Sequence, residues 1–409
     1  MIGGPRVVTG LDVGSTKTCA VVVAAPAAWG DDGAPVEVLG VGVAPTEGVR
    51  HRNVTHIEGA TQSIRDAVRD AESMAGVEVQ DVYAGIAGEH IQVSCSTGVV
   101  AVSGHEIGHG DLERVHEVAR AIVIPPDREL LHAIPQDYTV DGQRGIQDPS
   151  GMEATRLESE VCIVTAGAPA CQNLRKAIDR AGFRTQELVL APLASSLAVV
   201  SEEARQAGVA MIELGGSSTE ALVFRDGRLR LVASLPWGSG TISNDIVKGL
   251  GIPLSDAERL KEEHGTAQTS RAGTERLVIP GPTPGSTRDV ARELLAHIIE
   301  QRLDEILGLI YEALAERELL SALPAGIVLT GGGAGLDGTV ELAQEVFNLP
   351  VGLGTPGTGF EGPAEPVRRP EYATGVGLAL YGRLREKDRR GGMAVRTLAR
   401  VTDWLRDFF

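Results

Sequence analysis

Two stretches of the chain carry residues whose types and order could hold a polyphosphate. In residues 7–23 an apolar run leads into Asp12, Gly14, Ser15, Thr16 and Lys17 and then out into a β-branched run. In residues 209–224 the order returns: an apolar run, Glu213, Gly215 and Gly216, the hydroxyls of Ser217, Ser218 and Thr219, and a second apolar run. Each reads as strand, tight turn, strand. Glycines let the turn take positive φ so that backbone N–H groups converge, and the hydroxyls and the lysine add donors around the same concavity. A Gly-rich turn alone is weak, since most are only turns. Two of them with an acid at the same place are what similar half-molecules facing each other across a nucleotide would show. Asp12 and Glu213 would then order the water shell of Mg²⁺. The other reading of these acids is an ordinary pair of strand ends. A third glycine run, Gly331, Gly332 and Gly333, follows the buried-looking residues 325–330 and would let adenosine lie against bare backbone.

Other chemistries find less support. His105, Glu106 and His109 match the HExxH pattern of zinc hydrolases, which works only on a helix, where both histidines share a face. Gly104, Gly108 and Gly110 bracket it, each costing about 1 kcal/mol in a helix interior, and Asp111 reads as the cap of the next helix. A surface loop is expected instead. Cys171 has no nearby histidine to activate it, so nucleophilic catalysis has no candidate.

The elements that must position these loops come from a chain of 409 residues, more than one core usually serves, so at least two domains are expected. With 43% hydrophobic but only 3% aromatic residues, the cores must be built from Val, Leu, Ile and Ala. A formal charge of -17 argues against nucleic acid as a partner, because phosphate-backbone affinity needs clustered Lys and Arg. Cys19, Cys95, Cys162 and Cys171 show no CxxC spacing, which fits a reduced, cytosolic compartment. Asp12 and Lys17 interrupt the first apolar run, and no long uncharged stretch follows, so neither export nor a membrane span is expected.

Periodicity predicts strands around both loops and at residues 36–43, and helices at 53–75, 172–181, 244–251, 254–264, 288–318, 338–347 and 372–384. The long helix 288–318 places Leu294, Leu295, Ile298, Ile299, Leu303, Ile306, Ile310 and Leu314 on one face. Residues 81–160 change texture, with short β runs and a helix at 112–124, and read as an inserted α+β domain. The result is an α/β fold of two lobes. The first has its core in residues 1–80, 161–200 and 370–385, and the second spans 201–369 with an outer part at about 244–318. Residues 386–392 read as a linker. In residues 393–409, Val395, Leu398, Val401, Trp404, Leu405 and Phe408 fill half of a helical wheel, with Arg396, Arg400, Asp403 and Asp407 opposite. That pattern predicts an in-plane helix on a membrane surface, the alternative being docking on the protein's own core.

The segments GLDVGSTKT (10–18), IELGGSSTEALVF (212–224), SNDIVKGLG (243–251), AERLK (257–261), VLTGGGAGLDG (328–338) and YATGVGLALYG (372–382) stand in the order of the actin/Hsp70/sugar-kinase ATPase superfamily. Within it the chain resembles the FtsA family of actin-like bacterial cell-division proteins. VYAGIAGEHIQ (82–92), PQDYTVDGQRGIQDPSGM (135–152) and the amphipathic tail are the most specific parts. The resemblance implies a two-lobed actin-like fold of two related mixed sheets flanked by helices, with the insert replacing actin's usual outer subdomain. It implies ATP and Mg²⁺ as cofactors, polymerisation with copies of itself, the C-terminal peptide of FtsZ as partner, other divisome proteins, and a peripheral site on the cytoplasmic face of the inner membrane. Glu258 and Lys261 would contact the ribose and adenine side, and Arg302 and Arg317 would meet the acidic FtsZ tail within 244–318, a solvated helix face being the other reading of those two. This chain departs from the family where aspartate, a third glycine and aspartate are usual and it has Glu213, Ser217 and Glu220. At most slow ATP hydrolysis is therefore expected. A small-molecule kinase of the same superfamily is the alternative, and an Hsp70-like chaperone would need a peptide-binding domain for which too few residues follow Tyr381.

Overall fold

The β-branched runs around Asp12 pair with their neighbours in a meander, as their composition favours. The protein is described by a computed structural model covering residues 7–25, 36–281, 283, 285–357, 360–362 and 367–391. Strands β1 (Val7–Val13), β2 (Lys17–Ala24) and β3 (Val36–Pro45) are antiparallel neighbours. A small hairpin, β4 (Val49–Arg50) with β5 (Asn53–Val54), turns through His51 and Arg52, both at positive φ, 46° and 60°. Helix α1 (Ile57–Ala75) follows and buries Ala60, Ile64, Ala67, Val68 and Ala71, the stripe its spacing predicts. Strand β6 (Asp81–Ile86) then lies parallel to β1. The change of texture from residue 81 assigns these residues to the insert, which the pairing corrects. An apolar strand reads alike in either sheet, and only its pairing with β1 assigns it.

The insert comprises β7 (Gln92–Ala101), α2 (His109–Arg120), β8 (Arg128–Val140), β9 (Gln143–Ile146) and β10 (Arg156–Gly167), with its sheet in the order β7-β10-β8-β9. Ile107, Leu112, Val115, Tyr138 and Leu157 give it a core of its own. Where short β runs were expected, residues 92–101 form one strand, held in continuous register along β10. That strand runs past the expected boundary at residue 160 and delivers the chain to α3 (Ala168–Ala181), β11 (Arg184–Leu190) and α4 (Ala191–Val199).

The second lobe repeats the plan. After α5 (Glu202–Ala207), strands β12 (Val209–Leu214), β13 (Thr219–Arg225) and β14 (Arg228–Leu235) form an antiparallel meander. The outer part holds α6 (Ser239–Leu250), α7 (Leu254–His264), the hairpin β15 (Arg276–Pro280) and β16 (Thr287–Ala291), and α8 (Arg292–Ala315). Helix α8 starts later than expected because residues 287–291 pair as a strand, and Leu294 is 45% exposed rather than on the buried face. Strand β17 (Ile327–Thr330), α9 (Thr339–Phe347) and β18 (Val351–Leu353) complete the sheet. Its order, β14-β13-β12-β17-β18, matches β3-β2-β1-β6-β11 strand for strand. Two halves with one topology stand side by side.

The chain returns to the first lobe with β19 (Phe360–Glu361) on the edge of β3 and with α10 (Ala373–Gly391). Between the sheets α4 and α10 share a core with Val21, Met211, Leu222, Phe224, Val376 and Leu378. They touch backbone to backbone: a Cβ on Gly377 would lie 1.8 Å from the Ala194 carbonyl oxygen. Lower on α10, Arg385 grips Glu187 of β11 through Nε (3.0 Å) and Nη2 (2.6 Å), and the Tyr381 hydroxyl donates to the same carboxylate at 2.5 Å. Residues 386–391, expected as a linker, continue this helix, because its straight-chain Arg, Glu and Lys residues favour helix and no breaker occurs before Gly391. Among the described residues no helix is long and apolar enough to cross a membrane. Residues 393–409, with Val395, Leu398, Val401, Trp404, Leu405 and Phe408, lie outside the described residues.

Candidate functional site

Register places the two acids equivalently. Asp12 is the last but one residue of β1, and Glu213 the last but one of β12. The turns that follow close in the same way: the Gly14 N–H donates to the Lys17 carbonyl at 3.0 Å, and the Gly215 N–H to the Ser218 carbonyl at 3.0 Å. The turns meet across the lobes. Ser15 and Ser217 share a hydroxyl–hydroxyl bond of 2.6 Å, and a Cβ on Gly216 would fall 2.7 Å from the Thr16 methyl. Helix α6 begins on the second turn, where the Ser239 and Gly240 N–H groups each donate at 2.8 Å to the Gly215 and Gly216 carbonyls.

The third glycine run joins them because β17 pairs with β12, Thr330 opposite Glu213. Gly331, at φ 85°, opens the turn, and a Cβ on Gly333 would meet the Leu214 side chain at 2.6 Å. A Cβ added at Gly332 would make only an ordinary contact, 3.8 Å from the Glu371 Cβ. Glu258 and Lys261 on α7 are tied to the first turns of α6. The Lys261 ammonium donates to Glu258 (2.8 Å), to the Ser243 hydroxyl (2.8 Å) and to the Ser239 carbonyl (3.3 Å). The structure thus brings the three glycine turns and α7 together, but the Thr219 hydroxyl, expected among the phosphate donors, is fully buried and donates to the Trp237 carbonyl at 2.7 Å, so it is not free for a phosphate. Lys17 stands apart in one respect: its ammonium lies 3.8 Å over the Tyr372 ring, makes no hydrogen bond among the described residues, and is lowered in pKa by burial.

The acids themselves are engaged in ways the sequence did not reveal. Both Glu213 oxygens accept hydroxyl bonds, from Ser195 of α4 at 2.7 Å and Thr374 of α10 at 2.8 Å. Arg52, from the β4–β5 turn, places Nη1 3.6 Å from Asp12 and Nη2 3.6 Å from Glu213, and its Nε donates to the Ser218 hydroxyl at 3.4 Å. Its side chain is only 8% exposed. Burial pulls the guanidinium pKa down, but the charges of Asp12 and Glu213 outweigh it and hold the pKa above its ordinary value. Burial is also the main force raising the Asp12 carboxyl, and it pushes Glu220, opposite Glu213 on β13, up to about 7. The donor set of glycines, hydroxyls and N–H groups fits phosphate. The two carboxylates expected to order Mg²⁺ waters instead flank a guanidinium, so they do not fit a divalent ion in this arrangement.

Other expected positions resolve simply. His105 lies in a loop, Glu106 bridges to Glu153, and His109 is the first residue of α2, so the HExxH segment is not one helix face. Asp111 sits at the third helical position rather than at the cap, accepting from the Gly108 and Ser103 N–H groups, which hold its carboxyl down to about 2. Arg302 on α8 is already paired with Asp245 of α6 at 2.5 Å and with Glu305. Arg317 is exposed just beyond the end of α8.

Comparison with known proteins gives a consistent result. Residues 88–165 match the family described as "SHS2 domain inserted in FTSA", and residues 210–377 match "Cell division protein FtsA". The cell division protein FtsA of Pseudomonas aeruginosa is 37% identical over 384 residues, covering 94% of this chain and 91% of the relative. Among solved structures, the PilM-PilN type IV pilus biogenesis complex superposes with a TM-score of 0.65 at 17% identity, covering 93% of this chain and 99% of its own. MreB5 of Spiroplasma citri bound to ADP gives 0.57 at 12% identity, covering 95% and 99%. Matching strand orders in two lobes, the insert with its own sheet, and near-full-length similarity lead to one assignment: the chain belongs to the FtsA family of cell-division proteins and has its actin-like fold.

Proposed function

We propose that the chain binds ATP between its lobes, assembles with its own copies into filaments, and ties a division ring to the cytoplasmic face of the membrane. The observation that carries this is the 2.6 Å Ser15–Ser217 contact, where turns of matching geometry from the two lobes converge. Phosphate oxygens would replace that bond and draw on Ser15, Thr16, Lys17, Ser217, Ser218 and the turn N–H groups. Adenosine would lie along Gly331, Gly332 and Gly333, with Glu258 and Lys261 on the ribose side. The structure of MreB5 with ADP supports a nucleotide in a fold of this kind. Hydrolysis is slow, because Glu213 is committed to Ser195 and Thr374 rather than free to place a water.

FtsZ engages the outer part of the second lobe, about residues 244–318, through its C-terminal peptide, with Arg302 and Arg317 as acidic-tail contacts. Other division proteins meet the inserted domain, and residues 393–409 lie as an amphipathic helix on the inner membrane. The test is co-sedimentation with FtsZ and anionic lipid vesicles. FtsZ should pellet with vesicles only when this protein is present, and ATP should increase the amount; FtsZ left in the supernatant in every condition sinks the tethering role.

A further inference from the structure

The residue that sets this cleft apart is Arg52, which neither the loop pattern nor the comparisons single out. A two-residue hairpin turn with both residues at positive φ ordinarily requires Gly or Asn, since a side chain there costs about 1–2 kcal/mol. Here the positions are His51 and Arg52, at 46° and 60°. The strain is retained where it aims a side chain inward. The guanidinium is equidistant, at 3.6 Å, from Asp12 and Glu213, donates to Ser218 at 3.4 Å, and its own backbone N–H reaches Ser15 at 3.4 Å. A Cβ on Gly215 would fall 3.1 Å from Nη2, so the second turn is bare where the guanidinium passes.

We propose that Arg52 is the built-in cation of the nucleotide site, standing between Asp12 and Glu213 where a divalent ion would otherwise be held, so that nucleotide binds without one. Mg²⁺ brings ligands at about 2.0–2.1 Å in octahedral array and gives up its waters reluctantly, which leaves it no place beside a guanidinium already between the same carboxylates. Two cations there would also repel. A planar guanidinium has five N–H donors in a fixed fork, and those not directed at Asp12, Glu213 and Ser218 remain for a phosphate oxygen. Arg52 therefore balances the acids and binds the ligand at once.

The nucleotide part of this inference rests on the proposed cleft, so the test has an arm that does not. Mn²⁺ binding to nucleotide-free protein is followed by electron paramagnetic resonance, with Mn²⁺ standing for Mg²⁺. Wild type should hold no one-to-one Mn²⁺, Arg52→Gly should gain it, and Asp12→Asn added to Arg52→Gly should remove it again. Glycine suits positive φ, so that variant is expected to fold. In the second arm ATP affinity is measured by calorimetry in Mg²⁺ and in EDTA: wild type should change less than about threefold, and Arg52→Gly should lose at least about tenfold in EDTA. Wild-type Mn²⁺ binding that Asp12→Asn abolishes, no gain in Arg52→Gly, or a tenfold EDTA loss in wild type overturns the proposal. If no protein binds ATP in either buffer, the cleft reading fails, while the Mn²⁺ arm still decides on Arg52.

Discussion

The Thr374 hydroxyl donates to Glu213 Oε1 at 2.8 Å, so the acid near the end of β12 in one lobe is held by α10 of the other. A glutamate reaches one methylene farther than an aspartate, and at that reach its carboxylate meets the hydroxyls of Ser195 on α4 and Thr374 on α10. Thr374→Val removes a donor and leaves a buried carboxylate oxygen short of a partner, which costs about 1–3 kcal/mol. Urea unfolding measures it. A variant as stable as wild type would show that the bond contributes nothing.

ATP should raise the melting temperature, because a ligand bound only to the native state at a hundredfold its Kd adds about 2.7 kcal/mol. Gly332→Trp should fold, since no atom lies closer than 3.8 Å to the added Cβ, yet fill the place proposed for adenosine. Thermal shift should therefore show an ATP response in wild type and none in the variant.

Glu220 gives the fold a pH dependence. Its folded pKa of about 7 lies above the ordinary 4.5, so the native state holds the proton more tightly than the unfolded one. Its stabilising contribution is complete below about pH 4.5 and is lost as pH rises through 7, a difference of about 3 kcal/mol at most. Glu220→Gln, which keeps a neutral side chain at every pH, should be markedly more stable than wild type at pH 8 and nearly equal to it at pH 5. Equal differences at both pH values would mean that Glu220 titrates normally.

The two arginines proposed for the FtsZ peptide are not equivalent. Arg302 joins α8 to α6 through Asp245, so its reversal disturbs the fold as well as any contact. Arg317→Glu is the cleaner variant, and should weaken FtsZ-peptide binding by about tenfold with no change in melting temperature. Unchanged affinity by fluorescence anisotropy removes Arg317 from the contact.

Deleting residues 392–409, or replacing Trp404 with Glu, should free the protein from lipid vesicles and leave the ATP-dependent thermal shift intact. Six apolar side chains half-buried in lipid would supply about 6 kcal/mol before the cost of ordering the segment. One tail should therefore bind weakly, and a filament bearing many should bind firmly through effective concentration. Flotation of the truncated protein with vesicles would place the anchor elsewhere.

The paired loops were legible because their chemistry is local: acid, glycine and hydroxyl order at Asp12 and Glu213 survives folding as equivalent registers and equivalent turns. Arg52 was not legible, since its reach depends on a turn whose residues, His51 and Arg52, lack the Gly or Asn that normally marks one. The only sequence signal was two short β runs separated by two residues. Ser195 and Thr374 were hidden in apolar helices, where a hydroxyl reads as neutral filler. The strand at residues 81–86 was misplaced for a different reason: alternation and apolarity say that a strand is buried and say nothing about which sheet buries it.

Helix α10 spans about 28 Å from Ala373 to Gly391. It begins against Glu213 and is clamped in its middle by Tyr381 and Arg385 on Glu187. Tension applied beyond residue 391 therefore enters a stiff rod. The Glu187 clamp takes that load in shear and passes it into β11 and, through parallel pairing, into β6 and β1, the strand that carries Asp12. A pull along α10 would therefore reach Glu213 at one end and Asp12 through the sheet, so that load on this helix and the state of the site would be coupled.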